Sequence, residues 1–290
     1  MTRLPARLFL LVAAATAIFA TASASYVTEK DISYLENNDL VRADAYRQAQ
    51  CRLDLHLPAD QPGFPTVIWL HGGGLTGGQR SLPALRGKGI GLVAVGYRLS
   101  PKALPPSPLP PPVWLEDAAA ATAWTLRHIA ERGGDPKKVF LAGHSAGGYL
   151  AAMVGMDPRW LAAHGLSHRD LAGLIPVSAQ VTTHFHVKKL RGDTGPELRP
   201  IIDELAPLYH AANDIPPVCL ILGDRAIEYK NRVEENILFA ASLRNLGHPM
   251  VEFYEMGGLN HGTVPGGAWI IMPDFIKRVL ARQGKPAAAQ

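Results

Sequence analysis

Val139-Phe140-Leu141-Ala142-Gly143-His144-Ser145-Ala146-Gly147-Gly148-Tyr149-Leu150 is the stretch whose reading decides the fold. Its first part is an apolar run with the residues of a buried strand, and its last part is the small-residue pattern of a helix. Between them stands Gly143-His144-Ser145-Ala146-Gly147, a G-x-S-x-G turn that lifts a serine off the end of a strand and onto the start of a helix. The turn is sharp, and the backbones it joins pack too closely for a Cβ at Gly143 or Gly147. Ser145 is then expected in a strained conformation with its Oγ exposed, while the Ala146 N–H faces any oxyanion that forms beside it. The same pentapeptide also occurs in loops without chemistry, so its meaning depends on what the rest of the chain supplies.

Working outward, Thr66–Leu70, Gly89–Tyr97, Lys137–Gly143, Leu171–Ser178, Val218–Gly223 and Met250–Glu255 read as strands, most of them buried on both faces. Cys51–Pro58 alternates apolar and polar residues, as a half-exposed strand does. Helical composition covers Asp117–Arg132, Ala146–Met156, Arg232–Leu246 and Ile270–Arg282. Residues 25–50 are polar and irregular and are expected to form a surface arm. Seven prolines between Arg98 and Pro112 predict a stiff, extended loop at the rim. Residues 179–215 break the rhythm and read as an insertion over the strand ends. Strands alternating with helices predict an α/β fold, a mostly parallel sheet with helices on both faces. No repeat and no second domain are visible, so residues 25–290 read as one domain.

A serine nucleophile needs a base, a group to orient the base, and donors for the oxyanion. Gly258-Leu259-Asn260-His261-Gly262 follows the last strand, which makes His261 the histidine at the right topological place for the base. His71-Gly72-Gly73-Gly74 follows a buried strand and offers the N–H groups of Gly73 and Gly74 to a substrate oxygen. His71 is expected to hold that loop rather than to react. The acid should follow the strand ending at Gly223, where the chain reads Gly223-Asp224-Arg225-Ala226-Ile227-Glu228. Asp224 and Glu228 are both candidates. Asp224 also suits a turn cap, and the longer reach of Glu228 gives it a small preference.

Other features bound the function. Arg3 and Arg7, the apolar run Leu8–Ala20 and Ala22-Ser23-Ala24 form a secretory leader with cleavage after Ala24, so the protein is expected outside the cytoplasm, secreted or periplasmic. The run is short for a membrane span, and no stable membrane insertion is expected. Without residues 1–24 the formal charge falls from +4 to +2, with 27 basic against 25 acidic residues. No basic cluster with interleaved aromatics points to nucleic acid. Cys51 and Cys219 are expected as buried, unpaired thiols. His184-Phe185-His186 has no nearby carboxylate or cysteine to complete a metal site, and Gly165 argues against the regular helix that His164 and His168 would need to share a metal. Trp69 and Trp124 read as core, and Trp114 and Trp160 as candidate pocket walls.

With these motifs in view, the chain resembles the α/β-hydrolase superfamily, in the esterase and lipase branch related to hormone-sensitive lipase and bacterial feruloyl esterases. Gly96-Tyr97-Arg98-Leu99-Ser100, Glu116-Asp117-Ala118, Gly133-Gly134-Asp135-Pro136, Arg232-Val233-Glu234-Glu235-Asn236 and Asn260-His261-Gly262 extend the resemblance over roughly residues 50–282. It implies the α/β-hydrolase fold and a serine carboxylesterase with no cofactor. Ser145 would attack, His261 would move the proton, and the Gly73, Gly74 and Ala146 amides would hold the oxyanion. It also implies a small-molecule ester as substrate, including acetyl or aromatic acyl esters of plant-derived carbohydrate. The departure is at Ala226, where the branch often carries its acid. Three readings follow: a carboxylesterase, with Glu228 or Asp224 as the acid; an amidase of the arylformamidase type; and a catalytically impaired binding protein on a hydrolase scaffold.

Overall fold

The computed structural model describes residues 25–85, 87–100 and 112–284. The expected leader, most of the proline-rich loop and residues 285–290 lie outside the described residues. In chain order the elements are β1 (Tyr26–Ser33), α1 (Asn37–Arg42), α2 (Ala45–Gln50), β2 (Arg52–Pro58), β3 (Phe64–Leu70) and β4 (Gly91–Val95). There follow α3 (Val113–His128), β5 (Gly134–His144), α4 (Ala146–Met156), α5 (Pro158–Ala162), β6 (Gly173–Val177) and α6 (Phe185–Leu190). The chain closes with β7 (Val218–Gly223), α7 (Arg232–Asn245), β8 (Val251–Met256) and α8 (Val264–Gln283).

The eight strands form one sheet in the order β1-β2-β4-β3-β5-β6-β7-β8. The pairs β1/β2 and β2/β4 are antiparallel, and every pair from β4 across to β8 is parallel. Side chains on a strand alternate between faces, and both faces here are covered. Val67 and Trp69 of β3 pack with Met272, Phe275 and Ile276 of α8. Ile68 and Leu70 pack on the other side, in the core that includes Trp114 of α3, Leu150 of α4 and Phe239 of α7. Phe140, Phe239 and Phe275 are completely buried, contributing about 1.5–3 kcal/mol each. Two-sided burial is why these strands read as continuous apolar runs.

The structure departs from the sequence reading in places. Residues 25–50 are not an irregular arm: β1 pairs with β2, and α1 and α2 follow. β1 lies at the sheet edge with most of its residues exposed, so it shows no apolar alternation. The segment is held by side chains, with the Tyr34 hydroxyl donating to the Gly96 carbonyl at 2.9 Å and that of Tyr46 to Leu99 at 2.9 Å. α3 starts at Val113 and ends four residues before Arg132, and a turn of 3₁₀-helix over Ala130–Arg132 follows. α8 begins at Val264, not Ile270, and runs through Gly266, Gly267 and Pro273. At Gly267 a Cβ would stand 2.8 Å from atoms of Leu259 and Met256, so glycine serves packing where propensity predicts a break. Trp114 lies in the core at 1% exposure and is no pocket wall. Cys51 and Cys219 are buried and free. Among the described residues no helix is long and apolar enough to cross a membrane, and no group of three or more His, Cys, Asp or Glu could hold a metal ion.

Candidate active site

Ser145 stands between β5 and α4 with φ 55° and ψ −118°, a conformation that side chains rarely adopt. Packing imposes it. A Cβ on Gly147 would meet the Leu70 carbonyl oxygen at 2.1 Å, and one on Gly143 would meet backbone atoms of Gly147 at 2.4 Å. The strained residue is anchored at its own amide, which donates to the Val177 carbonyl at 2.9 Å.

His261, on the loop between β8 and α8, places Nε2 2.8 Å from Ser145 Oγ and Nδ1 2.7 Å from Glu228 Oε1. The Glu228 side chain has no exposed surface. Burial alone would raise its carboxyl, but bonds from His261, the Tyr229 amide and the Ser178 hydroxyl hold it down at about 2. An ionised carboxylate only accepts, so Nδ1 carries the imidazole proton and Nε2 is free to accept from the Ser145 hydroxyl. Asp224 stands elsewhere. Its carboxylate takes the Ala226 amide at 2.9 Å and the Gly258 amide at 2.8 Å, tying the loop after β7 to the loop that carries His261. Ala226 is exposed on that turn. The structure therefore brings Glu228 to His261, two residues beyond the position that the resemblance favours.

The loop His71–Gly74 lies against Ser145, since a Cβ on Gly72 would stand 3.3 Å from Ser145 Cβ. Gly73 and Gly74 have φ 119° and 63°. At Gly73 a Cβ would lie 2.1 Å from the Gly77 carbonyl oxygen. His71 stacks on Tyr97 with ring centres 4.3 Å apart, and the Tyr97 hydroxyl donates to the His71 carbonyl at 2.7 Å. Burial lowers the His71 pKa, so the ring stays neutral and braces the loop. Ala146 opens α4, and first-turn amides of a helix have no partner within it.

Three groups escaped the sequence reading. The Ser178 hydroxyl lies 2.8 Å from Glu228 Oε2 and 2.9 Å from His261 Nδ1. His144, inside the elbow, puts Nε2 2.8 Å from the His261 carbonyl. Burial and the neighbouring His261 push the His144 pKa down to about 4, so it donates there as a neutral ring. Buried Arg232 donates to the Ser178 carbonyl at 2.6 Å and pairs with Glu235 at 3.3 Å. His144 sits in the x position of G-x-S-x-G, where the motif specifies nothing. Ser178, directly after an apolar strand, looks like any small residue opening a loop.

Beside this cluster lies a cavity of about 430 Å³, with Phe185, Leu198, Ile202, Tyr229 and Leu238 among its walls and Gln180 and Glu235 adding polar groups. Tyr229 meets the His261 ring edge to face at 4.5 Å, and Phe185 Cζ comes within 3.5 Å of where a Gly74 Cβ would be. Neither Ser145 nor His261 lines it, and Tyr229 stands between the cavity and the His261 ring. Residues 179–215 supply much of its wall.

The BD-FAE family profile matches residues 53–164, a stretch that holds the glycine loop and the elbow but neither Glu228 nor His261. Phenmedipham hydrolase of Pseudarthrobacter oxydans is 33% identical over 126 residues, 41% of this chain and 25% of that protein. Carboxylesterase NlhH of Mycobacterium tuberculosis is 36% identical over 103 residues, 33% of this chain and 30% of that protein. The chain thus spans well under half the length of these relatives. A truncated carbohydrate esterase from gut microbiota superposes with a TM-score of 0.67 at 17% identity, over 90% of this chain and 98% of that one, a likeness of fold. Strand order, elbow and these likenesses converge on the α/β-hydrolase fold, with residues 53–164 similar to the BD-FAE family and to esterases of the lipase-like branch.

Proposed function

We propose that this chain is an exported serine carboxylesterase that hydrolyses short-chain or aryl carboxylic esters through an acyl-enzyme on Ser145. The observation that carries this reading is the hydrogen-bonded line Ser145–His261–Glu228 laid beside the His71–Gly74 loop. Ser145 Oγ attacks the ester carbonyl while its proton passes to His261 Nε2. The oxyanion takes N–H bonds from Gly73, Gly74 and Ala146, and the positive end of α4 points at it. His261 then gives the proton to the departing alcohol. Water attacks the acyl-enzyme in turn, losing a proton to Nε2, which returns it to Ser145 as the acid product leaves. Glu228 stays ionised throughout and stabilises the imidazolium.

Ala226 motivated the reading of a catalytically impaired binding protein. A carboxylate 2.7 Å from His261 Nδ1 supports catalysis instead. The similarity to a carboxylesterase and to a phenmedipham hydrolase supports ester hydrolysis. In this reading residues 25–290 form one domain without cofactor, and residues 179–215 shape the acyl or alcohol site. Export rests on residues 1–24, and acylated carbohydrate is a candidate substrate. The test is hydrolysis of p-nitrophenyl esters from acetate to octanoate by the mature protein, beside a Ser145→Ala control and a matched aryl formamide. Turnover of esters that vanishes in the control supports the proposal. Folded protein that hydrolyses only the formamide, or nothing, overturns it.

A further inference from the structure

Ser178 follows β6 directly and is completely buried. Its φ is 46°, in the region that favours glycine. All its polar groups are engaged. The amide donates to the Ile221 carbonyl at 2.7 Å, and the carbonyl accepts from Arg232. The hydroxyl reaches both Glu228 and His261. Val177, the preceding residue, holds the Ser145 amide. One strand end thus grips the nucleophile's backbone and the acid's side chain together.

The hydroxyl has one proton and two neighbours. Given to His261 Nδ1, it would require that nitrogen to be bare and Nε2 to carry the ring proton, which leaves nothing to accept from Ser145. Given to Glu228 Oε2, it leaves an oxygen lone pair facing Nδ1–H. The carboxylate settles the choice, because an anion is the stronger acceptor. Glu228 then receives four donors: His261 and the Tyr229 amide on Oε1, Ser178 and the Gly223 amide on Oε2.

We propose that Ser178 is a positioning residue of the reaction, whose hydroxyl clamps the outer oxygen of Glu228 and fixes His261 in the form protonated at Nδ1. The inference rests on the reading of Ser145 as the nucleophile. It explains how an acid displaced from position 226 to 228 on a turn still presents one oxygen squarely to the imidazole.

Ser178→Gly tests it, since glycine accepts the backbone conformation and deletes only the hydroxymethyl group. On p-nitrophenyl acetate, kcat is expected to fall about 10- to 100-fold with KM unchanged, the range for losing a hydrogen bond to a charged group. The acid limb of the pH profile should move to lower pH, because the imidazolium loses support. In a Glu228→Gln background the same change should matter little, the clamp having lost its carboxylate. A kcat within about 2-fold of the parent, an unmoved acid limb, or full additivity with Glu228→Gln overturns the proposal. Should the glycine variant fail to melt cooperatively, Ser178→Cys, a weaker donor of similar size, reads the same quantities. Ester turnover that survives Ser145→Ala would instead refute Ser145 as the nucleophile, the reading on which the inference rests.

Discussion

Glu228→Gln removes the charge facing His261 while keeping the side chain's length. The carboxyl sits at about 2 where an unperturbed one lies near 4.5: burial opposes ionisation, and the bonds from His261, the Tyr229 amide and Ser178 overcome it. At 1.36 kcal/mol per unit this is about 3 kcal/mol of preference for the charged form. His261 supplies only part of that preference, so losing the charge that faces the imidazolium lowers kcat by up to about 10²-fold. A second effect adds to it. If the glutamine turns its N–H toward Nδ1, it selects the tautomer that cannot accept from Ser145, so the total loss is expected between about 10²- and 10⁴-fold. Asp224→Asn, by contrast, alters a turn remote from the imidazole and should leave kcat within about 3-fold. The assay is steady-state hydrolysis of p-nitrophenyl acetate from pH 5 to 9, with thermal melts to confirm folding. Equal or reversed ranking of the two variants would refute the assignment of Glu228.

Two further outcomes follow from the same geometry. Burial lowers the His144 pKa from 6.5 to about 4, so between those values the unfolded chain binds a proton that the folded chain does not. Stability should therefore fall as pH drops through that window, by up to about 3 kcal/mol. His144→Gln, which keeps a donor for the His261 carbonyl, should flatten that part of the Tm-against-pH curve; an unchanged slope would contradict it. In Gly147→Ala the new methyl meets the Leu70 and His71 carbonyl oxygens at 2.1 and 2.5 Å, both backbone atoms. A loss of about 3–5 kcal/mol in urea unfolding is expected, and a loss below about 1 kcal/mol would mean the elbow can relax.

Much of this architecture is legible in the sequence because the central strands are buried on both faces. β4, β6 and β7 and the closing residues of β3 and β5 appear as apolar runs, and the elbow and the His71–Gly74 loop stand at two of their ends. β1 was illegible for the opposite reason, an edge strand facing water. α8 was legible only from Ile270 onward, Gly266 and Gly267 hiding its first turns. In the site, chain order singles out His261. The acid stayed divided between Asp224 and Glu228, because both follow Gly223 and only three-dimensional reach separates them. Ser178 and His144 act through single hydrogen bonds to groups far along the chain, and no local pattern records such bonds.

The site takes one group from each of five neighbouring strands: the glycine loop from β3, Ser145 from β5, Ser178 from β6, Glu228 from β7 and His261 from β8. Strands lie about 4.8 Å apart, so Glu228 starts about 10 Å and His261 about 14 Å from the strand that carries Ser145. Ser145 and Ser178 come one residue after their strands, whereas Glu228 and His261 each come five residues after theirs. Those two return loops are therefore rulers, cut to bring side chains back across the sheet. Removing one residue from either shortens the reach by up to about 3.5 Å, more than a hydrogen bond can stretch. Substitution at constant length is far gentler. The place of Glu228 on its ruler is set by how the loop folds, which carries its Oε1 to 2.7 Å from His261 Nδ1.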